Sequence, residues 1–167
     1  MSATPPKKPS ESRSEMVQVV LPNDANPLGF ILGGTVMHLI DIAGAIAAHR
    51  HTRSLLVTAA VDGLQFLHPI KVGDLIILNA CVTAAWNTSL EVEVEVFSEE
   101  TLTGLRRMTS QAFLTFVSVD RDGRRQPIPR LILETSEEKR KAAEADARRA
   151  ERLRARKALE GRLGPPA

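Results

Sequence analysis

The chain of 167 residues has a single cysteine, no tyrosine, one tryptophan and five phenylalanines. One cysteine excludes an internal disulfide and any multi-cysteine metal site. Cys81 lies in the apolar run 75–82, where it reads as a small buried hydrophobe. So few aromatics argue against base-stacking modules, and no nucleic-acid partner is expected. No stretch has the length and purity of a membrane span, and the N-terminus lacks a signal peptide's apolar core. The expectation is a cytoplasmic protein with no membrane partner. Metal-ligand clusters are missing too, as are nucleotide-loop patterns, because Gly33-Gly34 has neither the spacing nor the lysine of a phosphate loop.

What is present belongs to a soluble globular domain: 43% hydrophobic and 25% charged residues, in a chain long enough for one core. The basic balance is a property of the ends. Residues 1–14 carry +2 and residues 134–163 carry +3, leaving residues 15–133 at −3. A mixed-sign tail of that kind reads as a solvated helix.

Three segments follow from composition: a disordered arm over 1–14, a domain over 15–133 and a charged helical tail over 134–167. Within the domain a short strand (15–21) leads through a turn-rich loop (22–29) to an apolar helix (about 35–50). Four long strands follow at 55–66, 75–86, 89–98 and 106–119, expected as a meander. Leu90, Val92, Val94 and Val96 alternate with Glu91, Glu93 and Glu95, the pattern of a strand wet on one side. The charged helix begins near Glu137 and is ended by Gly164-Pro165-Pro166. With few apolar anchors it must lie along the domain or dock on a neighbouring subunit. The fold class is α+β: a curled antiparallel sheet of about five strands round one long buried helix, plus a charged C-terminal helix.

One residue breaks the pattern. Asp41 sits in the middle of the helix 35–50, which is apolar on nearly every side. A carboxylate there is costly unless it is paired, hydrogen-bonded or open to a wet pocket. Gly33 and Gly34 open the same helix, leaving backbone N–H groups uncovered for a ligand. A local pairing of Asp41 with His38 is the bland alternative. His49 and His51 end the helix, where a cation suits its dipole, and His68 before Pro69 reads as a turn residue.

The segment Pro22-Asn23-Asp24-Ala25-Asn26-Pro27-Leu28-Gly29-Phe30-Ile31-Leu32-Gly33-Gly34, followed by Asp41, resembles the hotdog-fold acyl-CoA thioesterases. These are the bacterial broad-specificity acyl-CoA hydrolases and the cytosolic acyl-CoA hydrolases of animals. The similarity continues through Val57-Thr58-Ala59-Ala60-Val61-Asp62, residues 66–74, Ser89-Leu90-Glu91-Val92, Thr103-Gly104 and residues 112–117, covering roughly 15–130. The resemblance implies hydrolysis of fatty acyl-CoA to fatty acid and CoA, with no cofactor beyond the CoA of the substrate. It also implies that Asn26 and Asp41 are the catalytic pair, brought together from two subunits of a dimer, most simply within a trimer of dimers. Helix geometry agrees, since Asp41 lies about 10 Å along the axis from Gly34 at 1.5 Å per residue.

In that scheme Gly34 N–H, with Gly33 next to it, and the Asn26 amide receive the charge on the thioester oxygen. Asp41 is then a general base or a nucleophile. Thr58 is a candidate to position Asp41 or water, and Ser89 to touch CoA. Arg106 and Arg107 are candidates for the CoA phosphates, with Arg124 and Arg125 or Arg148, Arg149 and Arg152 near the nucleotide. A non-catalytic acyl-CoA sensor on the same fold is the alternative. A hotdog dehydratase is disfavoured, because Leu32 stands where a histidine would be needed.

Overall fold

A computed structural model of the chain describes residues 5–164. Strand β1 (Ser14–Val19) is followed by helix α1 (Gly33–Thr52) and then strands β2 (Leu55–Phe66), β3 (Leu75–Ala85), β4 (Ser89–Glu99) and β5 (Arg106–Val119). Helix α2 (Ser136–Leu163) closes the chain. All the strands pair antiparallel in one sheet, in the order β1-β3-β4-β5-β2. Only β3, β4 and β5 form the expected meander; β2 pairs with β5 instead of β3. The sheet curls round α1, so the two strands flanking that helix in sequence end up on opposite edges.

Helix α1 seats Val36, Leu39, Ile40, Ala43 and Ala47 on a sheet face made of Leu78, Ala80, Val82, Leu90, Val92, Val94, Val96, Leu114 and Phe116. The three- and four-residue spacing places those helical side chains on one stripe. Gly44 lets the helix come close, for a Cβ there would stand 3.2 Å from the Phe116 ring. The expectation of burial on every side is corrected by the opposite stripe. Met37 and His38 are exposed and Asp41 is half-buried.

The other face of the sheet carries α2, opened by a Thr135–Glu138 capping box. Glu91 is fully buried beneath it and Glu93 nearly so. The Arg148 guanidinium donates to both Glu91 oxygens (3.1 and 2.7 Å), Lys141 pairs with Glu93 and Arg152 with Asp62. Arg148 also lies 3.6 Å over the Phe113 ring, and Arg149 covers Trp86. The polar side of β4 is therefore not wet, as its alternation suggested, but the seat of a charged helix.

The arm expected to be disordered is docked from Lys7 onward. Lys7 N–H donates to the Arg130 carbonyl (3.0 Å), Ile132 N–H to that of Lys7 (2.8 Å), and Ser12 is fully buried. Lys7 Nζ donates to the Arg50 and His51 carbonyls, satisfying the last turn of α1. Few apolar residues are needed when backbone pairing and a helix end supply the anchor. Residues 1–4, and Pro165 and Pro166, lie outside the described residues.

Candidate active site

The loop before α1 is tied to itself through Asn26. Its Oδ1 accepts from the backbone N–H groups of Leu28 (3.0 Å) and Phe30 (3.2 Å), and its own N–H donates to the Phe30 carbonyl (2.8 Å). Turn residues bond their backbone in this way. The consequence here is chemical: with the oxygen committed, the Nδ2 amide is the end left to meet a ligand. Helix α1 then starts with no side-chain cap. The first N–H of the segment to find an intrahelical acceptor is that of Val36, which donates to Leu32; those of Gly33 and Gly34 have none among the described residues. Gly34 is exposed, and a Cβ on it would meet nothing within 4 Å.

Asn26 and Gly33 share a hollow of about 310 Å³. Its rim holds Phe66, Leu67, His68 and Pro69, and its floor holds Val36, Ile70 and Ser110. His68, expected to be a plain turn residue, is thus part of a wall. A larger hollow of about 540 Å³ on the far side of the sheet is lined by Arg13, Cys81, Glu93 and Lys141 and holds none of the candidate residues. Burial there pushes the Cys81 thiol up from its ordinary value.

Asp41 lies elsewhere. Its Oδ1 accepts the Thr58 hydroxyl at 2.7 Å, which fixes the carboxylate from β2 and leaves Oδ2 without a partner among the described residues. His38 does not pair with it. No hydrogen bond joins the Asp41–Thr58 pair to the Asn26–Gly33 pair, and Asp41 does not line their hollow. Beside Asp41 runs the free edge of β2, with Leu55, Val57, Val61 and Phe66 about half exposed and Met37 of α1 next to them. That is a large apolar surface for a single chain, on an edge that can still pair.

Several further candidates have protein surroundings of their own. Ser89 pairs with Val117 on the sheet face turned from α1, since its neighbour Leu90 faces the core. Arg106 is engaged with Glu99 and the Phe97 ring, while Arg107 lines a small hollow with His68, Lys71, Asp74 and Glu100. Arg124 pairs with Asp122 in an exposed turn, and Arg125 bridges to Val119. Arg148, Arg149 and Arg152 clamp α2 to the sheet rather than reaching for a nucleotide. His51 is buried and held neutral: burial moves its pKa down despite its bond to the Pro129 carbonyl. The cation expected at that helix end is Lys7.

The profile of the thioesterase superfamily matches residues 28–105. An uncharacterized acyl-CoA thioester hydrolase of Bacillus subtilis (strain 168) is 40% identical over 128 residues, 77% of this chain and 74% of that protein. The human cytosolic acyl coenzyme A thioester hydrolase is 34% identical over 145 residues, 86% of this chain but only 38% of that longer protein. Among solved structures, the acyl-CoA hydrolase of Bacillus cereus superposes with a TM-score of 0.87 at 35% identity, covering 95% of this chain and 96% of that one. A hexameric acyl-CoA thioesterase gives 0.85 at 40% identity, with 90% and 97% covered. The Staphylococcus aureus acyl-CoA hydrolase, in complex with butyryl coenzyme A, coenzyme A and coenzyme A disulfide, gives 0.83 at 32%, with 95% and 100% covered. Variants of that protein with an Asp, a Thr or an Asn replaced by Ala are also solved, and the three replaced positions have the spacing of Asp41, Thr58 and Asn26 here.

Proposed function

We propose that this chain, which belongs to the hotdog-fold acyl-CoA thioester hydrolases of the thioesterase superfamily, hydrolyses fatty acyl-CoA to a free acid and CoA with Asn26, Gly34, Asp41 and Thr58 at its centre. The observation that carries the assignment is the fixed Asn26 side chain. Its oxygen is held by two backbone donors, which leaves its NH2 for a ligand in the hollow it shares with Gly33, one residue before the exposed Gly34 whose N–H has no acceptor among the described residues. Two donors of this kind suit the oxygen of a thioester as it becomes negative, and removing one such donor costs about 3 kcal/mol of transition-state stabilisation.

Asp41 acts as the general base. Its Oδ2 takes a proton from water as the water oxygen bonds to the carbonyl carbon. The tetrahedral intermediate then collapses, the C–S bond breaks, and the proton passes from Asp41 to the departing thiolate. Thr58 donates to Oδ1 and so fixes the orientation of the carboxylate. The spacing of the three alanine variants in the Staphylococcus aureus hydrolase supports this choice of residues. No cofactor enters the reaction, and CoA leaves as product.

The two half-sites belong to different subunits. Pairing of two copies along the free β2 edge covers Leu55, Val57, Val61 and Met37 and brings the Asp41–Thr58 pair of one protomer towards the Asn26–Gly34 pair of its partner. Three such dimers make a hexamer, the state named for one similar thioesterase.

Complementation tests this reading. Asn26→Ala and Asp41→Asn each abolish thiol release from acyl-CoA. Mixed dimers co-expressed from the two variants hold one intact site per dimer and recover about half of the wild-type turnover. A mixture that stays inactive would place both residues in one chain's site. Saturable acyl-CoA binding by the wild type without thiol release would instead support the sensor.

A further inference from the structure

The hollow beside Asn26 contains a polar group with nothing to do. Three buried side-chain atoms lack a hydrogen-bond partner among the described residues: His51 Nδ1, Ser110 Oγ and Thr115 Oγ1. Of these, only Ser110 lines this hollow. Its residue is 1% exposed, on β5 between Val96 and Phe66, on the sheet face that looks towards α1. Of the other polar side chains that line it, His68 is exposed at the rim and Asn26 is half-buried. Thr109 donates to the Val96 carbonyl and Asn26 Oδ1 accepts from Leu28 and Phe30. A buried hydroxyl left unpaired costs about 1–3 kcal/mol, so it calls for a partner that arrives with a ligand.

Which part of the substrate arrives there follows from the walls. Ile31, Val36, Ile70 and Phe66 are apolar, and the floor is closed by core residues. A pantetheine arm must run out to solvent, and at this closed floor its two amides would find only the one buried hydroxyl of Ser110. An acyl group ends inside the protein. At about 310 Å³ the hollow stands at the small end of ligand sites, the size for a short or medium chain.

We propose that the hollow between Asn26 and Ser110 receives the acyl group, and that the Ser110 hydroxyl selects chains carrying their own oxygen, a hydroxyl or a keto group. This rests on the hydrolase reading above. A plain alkyl chain fills the same space but leaves Ser110 Oγ unpaired. A hydroxyacyl chain gives or receives one hydrogen bond there, and an oxoacyl chain accepts one from the Ser110 hydroxyl, at no new desolvation cost to the protein. Ser110 touches the substrate away from the reacting carbon and therefore sets specificity without taking part in bond making.

The test compares matched acyl-CoAs of short and medium length, each as the unsubstituted, 3-hydroxy, 3-oxo and terminal-hydroxy form. For the wild type, kcat/KM for at least one oxygenated form exceeds its plain counterpart by about tenfold, one net hydrogen bond. In Ser110→Ala the ratio falls to about one, chiefly because plain chains improve. The melting temperature does not drop, since no protein contact is lost, and inhibition by free CoA is unchanged. Ratios near one in the wild type, or ratios that survive Ser110→Ala, would overturn the assignment. So would weakened CoA inhibition in Ser110→Ala, which would put pantetheine in the hollow. Non-hydrolysable thioether analogues of the same pairs, measured by calorimetry, separate the two readings. Oxygen-dependent binding without any thiol release would sink the hydrolase reading and keep the pocket; equal binding with normal turnover would do the reverse.

Discussion

The two helices cover opposite faces of one sheet and use their charges in opposite ways. On the face of α2 the charges of the helix are matched where it meets the sheet: Arg148 with Glu91, Lys141 with Glu93 and Arg152 with Asp62, while Asp146 accepts from the Trp86 indole N–H. On α1 the central contact with the sheet is hydrocarbon, and its one carboxylate lies at the β2 edge, held by a single hydroxyl. A polar group with a complete set of partners stabilises the fold. One with an incomplete set, placed on an open apolar face, is available for chemistry. The comparison breaks if a charge on α2 proves catalytic or if Asp41 proves structural.

Asp41→Asn is the larger of these tests. Loss of a general base lowers turnover by about 10²–10⁴-fold. The amide keeps an oxygen that accepts from Thr58, so the melting temperature stays within a degree or two of wild type. Thiol release and thermal melts on the same sample check both halves. A variant that unfolds more easily while its folded fraction turns over normally would make Asp41 a structural residue.

Arg148→Ala carries the opposite signature. It leaves Glu91 as a fully buried charge with only the Thr83 hydroxyl beside it, and stability falls by about 3–5 kcal/mol. Turnover per folded molecule is unchanged. The double change Glu91→Leu with Arg148→Met recovers most of the loss, because a buried pair replaced by apolar groups of similar size is often neutral. Urea midpoints for the two variants decide it. Equal instability in both would mean that α2 is held by something other than this pair.

These faces also explain what was legible in the sequence. Strands β2 and β5 begin and end where the period-two pattern says, because alternation reports a residue's side of a sheet. It does not report what covers that side. Glu91 and Glu93 therefore read as wet, although their partners stand some fifty residues later in a helix that itself read as solvated. Placing β2 beside β5, and the arm beside residues 130–132, depends on backbone pairing that leaves no mark on side-chain type. In the site, Asp41 was visible as a carboxylate among hydrocarbons and Asn26 through the resemblance of its loop. Ser110 had no signal, since a serine in a strand is ordinary until its hydroxyl is seen to lack a partner. For Ser89 and the arginine pairs, polarity near a motif does not report the face each occupies, which only the sheet register supplies.

The smallest effect sharpens the comparison at the far end of α1, where the His51 side chain is fully buried. Its Nε2 meets the Pro129 carbonyl at 3.0 Å and its Nδ1 has no partner. Burial holds its pKa below the ordinary value near 6.5. The folded state then binds fewer protons than the unfolded state as the pH falls. The stabilising contribution is complete above about pH 6.5 and is lost as the pH drops through the folded pKa, at no more than about 1.4 kcal/mol per pH unit. Urea midpoints measured from pH 8 down to 5 should decline more steeply for the wild type than for His51→Gln, which cannot take up a proton. Parallel curves would mean that this end of α1 tolerates a charge, and that its burial is as incomplete as that of Asp41.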